Sequence, residues 1–157
     1  MDDRTLKMYV FYCSNSLDQE DLTRCARGQQ GDELRAISLP CSGKVNTPYL
    51  VKAFEAGADG VIVVTCKQDE CRHLEGNLRA QKRVQAVDSL LEEVGLGRGR
   101  ITVVQRKEAG VEQIIREIEE FCTKVRTMSR SCAAISTIPG SNDPSTSNAH
   151  DHQEIAP

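Results

Sequence analysis

The stretch Gly60–Thr65, with the sequence GVIVVT, decides the fold class of this 157-residue chain. It is a continuous run dominated by β-branched residues, which is typical of a strand buried on both faces of a parallel sheet. Three other short apolar runs also have strand character, and they lie at Lys7–Cys13, 34–39 and Ile101–Gln105. The sequence therefore predicts four strands, of which GVIVVT is the clearest.

Helical patterns alternate with these strands. The predicted helices occupy residues 16–28, 47–57, 75–94 and 108–126, and capping side chains at Ser16 and Thr47 mark two of the starts. Alternation of this kind, without hairpin signals, indicates a parallel sheet with helices on both faces. Right-handed crossovers then favour an α/β fold with a doubly wound, flavodoxin-like sheet of four strands.

The chain divides into two parts by composition. Residues 1–126 carry the strand and helix patterns and form one predicted cysteine-rich α/β domain. After Arg126 the character of the sequence changes, and residues 139–157 are rich in Ser, Pro, Asn and Asp without periodic apolar positions. A segment of this composition cannot bury enough apolar surface to fold, so we expect a disordered C-terminal tail over residues 127–157.

Composition also excludes several function classes. The formal charge of −3 and the absence of a basic stripe give no reason to expect nucleic-acid binding. The longest apolar stretch, residues 61–64, is far shorter than the roughly 18 residues of a membrane helix. The charged N-terminus does not resemble a signal peptide, so a soluble, cytoplasmic protein is expected. With no Trp and only six Phe and Tyr, an aromatic-lined pocket is not expected.

Four of the seven cysteines fall at the predicted ends of strands. Cys13 ends the first strand, Cys41 lies just past the second, Cys66 follows the third, and Cys71 lies in the loop after it. The carboxyl ends of parallel strands line one edge of a sheet, which is where open α/β folds bind ligands. We therefore expect these four thiols to converge on a metal or cluster site, although they come from distant parts of the chain.

The other cysteines have simpler interpretations. Cys25 and Cys122 lie on apolar helix faces and are expected to be small buried packing residues, and Cys132 an incidental thiol. Four thiolates suit either zinc or an iron–sulfur cluster, but the short C-x2-C pairs typical of structural zinc are missing. This spacing favours iron and sulfur over zinc. His73, two residues after Cys71, is expected to be a solvated residue rather than a ligand.

Residues 41–96 carry an ordered set of motifs: CSGKV, then LVKAFEAGADGV, then C-x4-C, then GN-x2-A-x2-RV. In this combination the chain resembles the delta (iron–sulfur) subunit of methyl-viologen-reducing hydrogenase. The resemblance implies an electron-transfer subunit with a 2Fe–2S cluster whose ligands are Cys13, Cys41, Cys66 and Cys71. It also indicates that Gly76-Asn77 lets the backbone approach the cluster or a partner.

The same resemblance implies partners in anaerobic metabolism. Members of this family link a hydrogenase or formate dehydrogenase to the heterodisulfide reductase A-type flavoprotein. This chain departs from the family pattern at residues 14–16, where further cysteines are usual, at Thr65, where glycine is usual, and on both sides of Cys71. No independent substrate site is evident, so we expect a component of an oxidoreductase complex. Two alternatives stay open: a cluster-free adaptor of the same complex, and a zinc-stabilised or dithiol module.

Overall fold

A four-stranded, all-parallel sheet forms the centre of the protein. The computed structural model describes residues 4–28 and 31–135. The strands are β1 (Lys7–Cys13), β2 (Glu33–Leu39), β3 (Gly60–Thr65) and β4 (Ile101–Gln105), in the spatial order β2-β1-β3-β4. The helices are α1 (Gln19–Gly28), α2 (Thr47–Glu55), α3 (Gly76–Glu93) and α4 (Val111–Ile135), and short 3-10 turns lie at Ser42–Lys44 and Gln68–Glu70.

Helices cover both faces of this sheet, as the alternating pattern predicts. Residues of β1 and β3 point alternately to two apolar cores, because successive side chains of a strand lie on opposite faces. One core packs against α1 and α4, and the other against α2 and α3. Every residue of β3 is buried, which explains its uninterrupted apolar sequence. The predicted doubly wound α/β fold is confirmed.

Three predicted helix starts are wrong, either by more than one residue or in the capping residue. One is that of α4, which begins at Val111 and not at residue 108. Helix α1 begins at Gln19, where Asp18 Oδ1 accepts a hydrogen bond from the Asp21 backbone N–H at 2.9 Å. Ser16 is buried instead and donates its hydroxyl to the Cys13 carbonyl at 2.6 Å. For α2 the capping residue is Asn46, whose Oδ1 accepts from the Tyr49 N–H at 3.0 Å. Thr47 is already helical.

The last helix is longer than predicted. Helix α4 continues from Val111 to Ile135, nine residues beyond the predicted end at Arg126. Its apolar stripe continues at Met128, which packs against the core shared with α1. The proposed boundary between residues 1–126 and 127–157 therefore falls inside a helix. Residues 136–157, most of the predicted disordered tail, lie outside the described part of the chain.

The remaining boundaries agree closely with the sequence patterns. Strand β2 begins one residue earlier than predicted, and α3 begins one residue later and ends one earlier. Among residues 4–28 and 31–135, no helix combines the length and apolar character needed to cross a membrane.

Candidate metal centre

The four predicted ligand residues lie at the carboxyl edge of the sheet. Cys13 is the last residue of β1, Cys41 lies two residues after β2, and Cys66 directly follows β3. The strands are in register here, since Cys13 pairs with Leu39 of β2. Cys13, Cys41 and Cys66 are buried, whereas Cys71 is partly exposed. The parallel sheet thus brings together thiols that are distant in sequence.

These thiols influence one another electrostatically. Burial raises the pKa of Cys66 to about 12, and its neighbours Cys13 and Cys71 add to this increase. Burial also raises the pKa of Cys41, against the effect of the Gly43 N–H, which donates to Cys41 Sγ at 3.4 Å. Proximity to Cys71 and Cys13 raises it further. A group of buried thiols resists ionisation unless a positive charge, such as that of a metal ion, lies between the sulfurs.

Cys71 differs from the others in its hydrogen-bond donors. Its partial burial opposes ionisation, but backbone N–H groups of His73, Asn77 and Gly76 donate to its sulfur and lower the pKa of Cys71 overall. Two of these donors belong to the first turn of α3, whose N–H groups have no partners within the helix. The positive end of a helix dipole stabilises negative charge at this position. Cys71 is therefore better prepared than Cys41 or Cys66 to bind as a thiolate.

Two glycines allow the close approach of α3 to the Cys41 turn. A Cβ atom on Gly76 would lie less than 3.0 Å from Cys41 Sγ and 3.3 Å from Cys71 Sγ. A Cβ atom on Gly43 would lie 2.7 Å from the Gly76 Cα. The backbone at Gly76 therefore lies close to the Cys41 turn, and two sulfurs occupy the space that a side chain at this position would fill.

Side chains tie the loops around the thiols to one another. Asn15 Nδ2 donates to the Glu70 carbonyl at 3.1 Å, which links the loop after β1 to the loop that holds Cys71. Arg83 Nη1 donates to the carbonyls of Gly43 and Val45, both at 2.6 Å, and so fixes the Cys41 turn against α3. The sequence alone does not indicate this role of Arg83. Arg83 stands in the GN-x2-A-x2-RV motif, but its partners come from a turn about 40 residues earlier.

Two buried hydroxyl groups beside the cysteines have no hydrogen-bond partner among the described residues. They belong to Ser42, next to Cys41, and Thr65, next to Cys66. Thr65 lies on the same sheet face as Cys13, because Tyr12 pairs with Val64 and the faces alternate. Buried hydroxyl groups normally find partners, so two unpartnered hydroxyls at this position are a marked exception. In the sequence, Thr65 is distinguished only by its departure from the family pattern.

Other candidate residues have structural roles. Cys25 and Cys122 are buried in the core between the sheet, α1 and α4, and burial raises the pKa of Cys25 to about 11 and that of Cys122 to about 12. Their predicted packing role is confirmed. Cys132 lies in the last part of α4, where side chains are outside the description. The His73 side chain is exposed, as expected. Within the described residues, no three His, Cys, Asp or Glu side chains are arranged to hold a single metal ion.

The site opens to the surface beside Cys71. A cavity of about 330 Å³ is lined by Cys41, Gly43, Lys44, Arg72, His73, Leu74, Gly76 and Arg79. Lys44, Arg72 and Arg79 make this opening cationic. Leu74 has a φ of +59° and is 85% exposed, so the loop carries both local strain and an apolar side chain at the rim.

Comparison with known proteins identifies the family. The sequence model of the family described as methyl-viologen-reducing hydrogenase, delta subunit, matches residues 8–129. The chain is 35% identical over 108 residues to the D-type iron-sulfur subunit of the vhu F420-non-reducing hydrogenase of Methanocaldococcus jannaschii, a match that covers 69% of this chain and 81% of that protein. It is also 35% identical over 101 residues to the A-type subunit of the ferredoxin/F420H2-dependent CoB-CoM heterodisulfide reductase of Methanosarcina acetivorans, where the match covers 64% of this chain but only 13% of the much longer relative. The chain therefore belongs to the family of methyl-viologen-reducing hydrogenase delta subunits.

Proposed function

We propose that this protein is an electron-transfer subunit that binds one 2Fe–2S cluster through Cys13, Cys41, Cys66 and Cys71. It would relay electrons between a hydrogenase or formate dehydrogenase and a heterodisulfide reductase A-type flavoprotein. The observation that carries the proposal is the group of four interacting thiols at the carboxyl edge of the sheet. The name of the Methanocaldococcus jannaschii relative, which describes an iron-sulfur protein, agrees with this chemistry.

The donor set suits a cluster with two irons. Four cysteine thiolates are the common ligands of 2Fe–2S clusters. Two irons do not require all four ligands to point at one position, so this cluster is compatible with the absence of a single-ion site among the described residues. The unpartnered hydroxyls of Ser42 and Thr65 are suitable donors to sulfur, and the glycines at 43 and 76 leave space where a Cβ atom would intrude.

The protein's own groups would hold the site and control its charge. When bound, a 2Fe–2S cluster accepts and releases one electron. Backbone N–H groups of Gly43, His73 and Gly76 donate to the thiolate sulfurs and offset their negative charge. Burial of Cys13, Cys41 and Cys66 excludes water from most of the site. The opening beside Cys71, lined by cationic side chains, would let a partner approach.

The comparisons support the kind of partner. Some relatives are named as iron-sulfur subunits of F420-non-reducing hydrogenases. Others are named as the A-type component of CoB-CoM heterodisulfide reductases, and in these the matching segment is a small part of a much longer chain. In these relatives the matching segment is part of the same polypeptide as the rest of the A-type subunit, which supports the proposal that the present chain docks on a protein of that kind. A formate dehydrogenase as alternative donor rests on the family resemblance alone.

The departure at residues 14–16 leaves Cys13 as the only thiol of its loop, and this loop is well held. Ser16 donates to the Cys13 carbonyl, and Arg106 Nη1 donates to the Ser16 carbonyl at 3.0 Å. Asn15 binds the loop that holds Cys71. Polar residues where relatives have further cysteines thus keep Cys13 in place beside Cys66.

The test is anaerobic purification followed by iron, sulfide and zinc analysis, with visible spectra before and after dithionite. The proposal requires about two irons and two sulfides per chain and absorbance that bleaches on reduction. The variants Cys41→Ser and Cys66→Ser should lose or alter the cluster, whereas Cys25→Ser, a buried thiol outside the site, should keep it.

The contrary outcomes separate the alternatives. No iron after reconstitution would leave a cluster-free adaptor. One zinc without iron would mean a structural zinc site, and thiols that titrate freely would mean a dithiol module.

A further inference from the structure

One face of the sheet has an apolar groove that no helix of the described chain fills. Its floor consists of side chains from β1 and β2, and α2 forms one wall. The groove has a volume of about 650 Å³ and is lined by Tyr9, Phe11, Ile37, Leu39, Pro40, Lys44, Val45, Tyr49, Lys52 and Ala53. Three of the six aromatic residues line it, so the expectation that this chain has no aromatic-lined pocket is wrong.

The position of the groove in the fold indicates what is missing. Parallel sheets occur almost only with both faces covered, because their strands are apolar on both sides. On this face, α2 and α3 pack over β3 and β4, while Ile37 and Leu39 of the edge strand β2 stay only partly buried. Tyr49, at the wall of the groove, is 57% exposed. The layer thus has room for one more helix beside α2.

The rim of the groove is cationic. Lys44 and Lys52 are exposed, and the ammonium group of neither forms a hydrogen bond or ion pair with another described residue. The Lys7 ammonium lies 6.0 Å and the Arg35 guanidinium 5.8 Å from the centre of the Tyr9 ring, which lines the groove. Among the described residues, only one acidic side chain bonds to any of these four cations, and it is Glu33, which pairs with Arg35. An apolar floor with a cationic rim complements a helix with an apolar stripe and acidic flanks.

From this complementarity we infer that the groove binds an acidic amphipathic helix of a partner protein. The chain's own residues 136–157 are acidic but contain only two large apolar residues, Ile138 and Ile155, too few to fill an apolar groove of this size. The exposed Tyr49 leaves the groove open to solvent, which suits the side of a helix better than a small molecule that needs enclosure. This inference does not depend on which metal the thiols bind.

The groove adjoins the candidate metal centre. Leu39 and Pro40 precede Cys41, and Lys44 lines both the groove and the opening beside Cys71. A helix seated here would cover the outer side of the Cys41 turn. A partner bound in the groove would therefore lie beside the turn that holds Cys41, one of the predicted ligands.

Photocrosslinking in the assembled complex tests the inference. The photoreactive residue p-benzoylphenylalanine replaces Tyr49 in the full chain, expressed in cells that make the native complex, and crosslinked peptides are mapped by mass spectrometry. We expect crosslinks to one partner segment with apolar residues at helical spacing and a net negative charge. The same residue at Leu90, which is 38% exposed on α3 away from the groove, is the control and should not reach that segment.

Several results would overturn the inference. Crosslinks from position 49 to residues 136–157, to a second copy of this chain or only to small molecules would each identify a different occupant. Crosslinks to a basic or non-helical segment, or none at all, would exclude the acidic helix.

A charge reversal gives a quantitative measure on the same complex. Lys52→Glu should weaken binding of the crosslinked partner about threefold to tenfold at low salt, with less effect at high salt. The matched control, Lys82→Glu, reverses an exposed lysine on α3 and should leave the affinity unchanged. Equal effects of the two variants would contradict the inference. Metal content, measured in parallel, should not change in either variant, so this result is independent of the cluster proposal.

Discussion

Replacing Gly76 by alanine tests whether the space between the thiols is needed. The added Cβ would lie less than 3.0 Å from Cys41 Sγ, and 3.3 Å from Cys71 Sγ. Ordinary contacts between heavy atoms begin at about 3.5 Å, so Cys41 or α3 would have to move by at least about 0.5 Å. Functional sites lose their geometry at displacements of about this size. Both affected thiols are proposed ligands.

The expected stability change has a definite sign. Glycine in the middle of a helix is less stable than alanine by about 0.5–1 kcal/mol, so at Gly76, the first residue of α3, alanine without this crowding would gain at most about that much. Overpacking costs about 1–3 kcal/mol, and it is expected to exceed that gain. Gly76→Ala should therefore lower the free energy of unfolding and bind less than half of the wild-type iron after anaerobic reconstitution. Denaturant unfolding and iron analysis measure the two effects.

Gly95→Ala is the matched control. Gly95 follows α3 with a φ of +84°, and a Cβ there would contact nothing within 4 Å. The left-handed backbone of the variant costs about 1–2 kcal/mol, but the thiols stay untouched. It should unfold more easily and keep its iron. Full iron binding by Gly76→Ala, or equal iron loss in both variants, would refute the reasoning.

Three further predictions concern side chains around the site. In the metal-free protein at about pH 8, iodoacetamide should label Cys71 first, because, despite its partial burial, backbone hydrogen bonds lower its pKa. It should label Cys25 and Cys122 last, because burial raises their pKa values to about 11 and about 12. Equal labelling rates in peptide mass spectrometry would contradict this order. Thr65→Val removes a buried hydroxyl while keeping the shape of the side chain, so the reduction potential should become more negative with iron content unchanged. A potential equal to the wild-type value would mean that the hydroxyl does not contact the cluster. Arg83→Met loses two hydrogen bonds of 2.6 Å and should cost about 2 kcal/mol in chemical unfolding, with faster loss of iron to a chelator.

The fold follows from patterns that the sequence displays directly. The β-branched run Gly60–Thr65 and the regular alternation of strands and helices leave few topologies, because parallel crossovers are right-handed. Helix starts are less determined. Asp18 and Asn46 stand close to Ser16 and Thr47, and all four residue types can cap a helix, so only the tertiary structure selects among them.

The positions of the candidate thiols could be predicted from the sequence, but the contacts that support them could not. Cys13, Cys41 and Cys66 could be placed at one edge because strand ends in a parallel sheet coincide. Arg83 donates hydrogen bonds to carbonyls from another part of the chain. The hydroxyl of Thr65 stands out only because it is buried without a hydrogen-bond partner among the described residues. Such contacts depend on distances between segments, which periodicity and spacing do not encode.

The four thiols come from segments that follow or end three different strands, β1, β2 and β3. They can therefore bind one ligand together only after these strands have paired. A short metal-binding knuckle can organise its own segment, and some small domains fold only as they bind metal. Here no single segment holds more than two of the four sulfurs, so the polypeptide must first complete its long-range strand pairing. Insertion of the proposed cluster would therefore follow chain folding, and the iron content of a preparation would measure how completely the chain has folded.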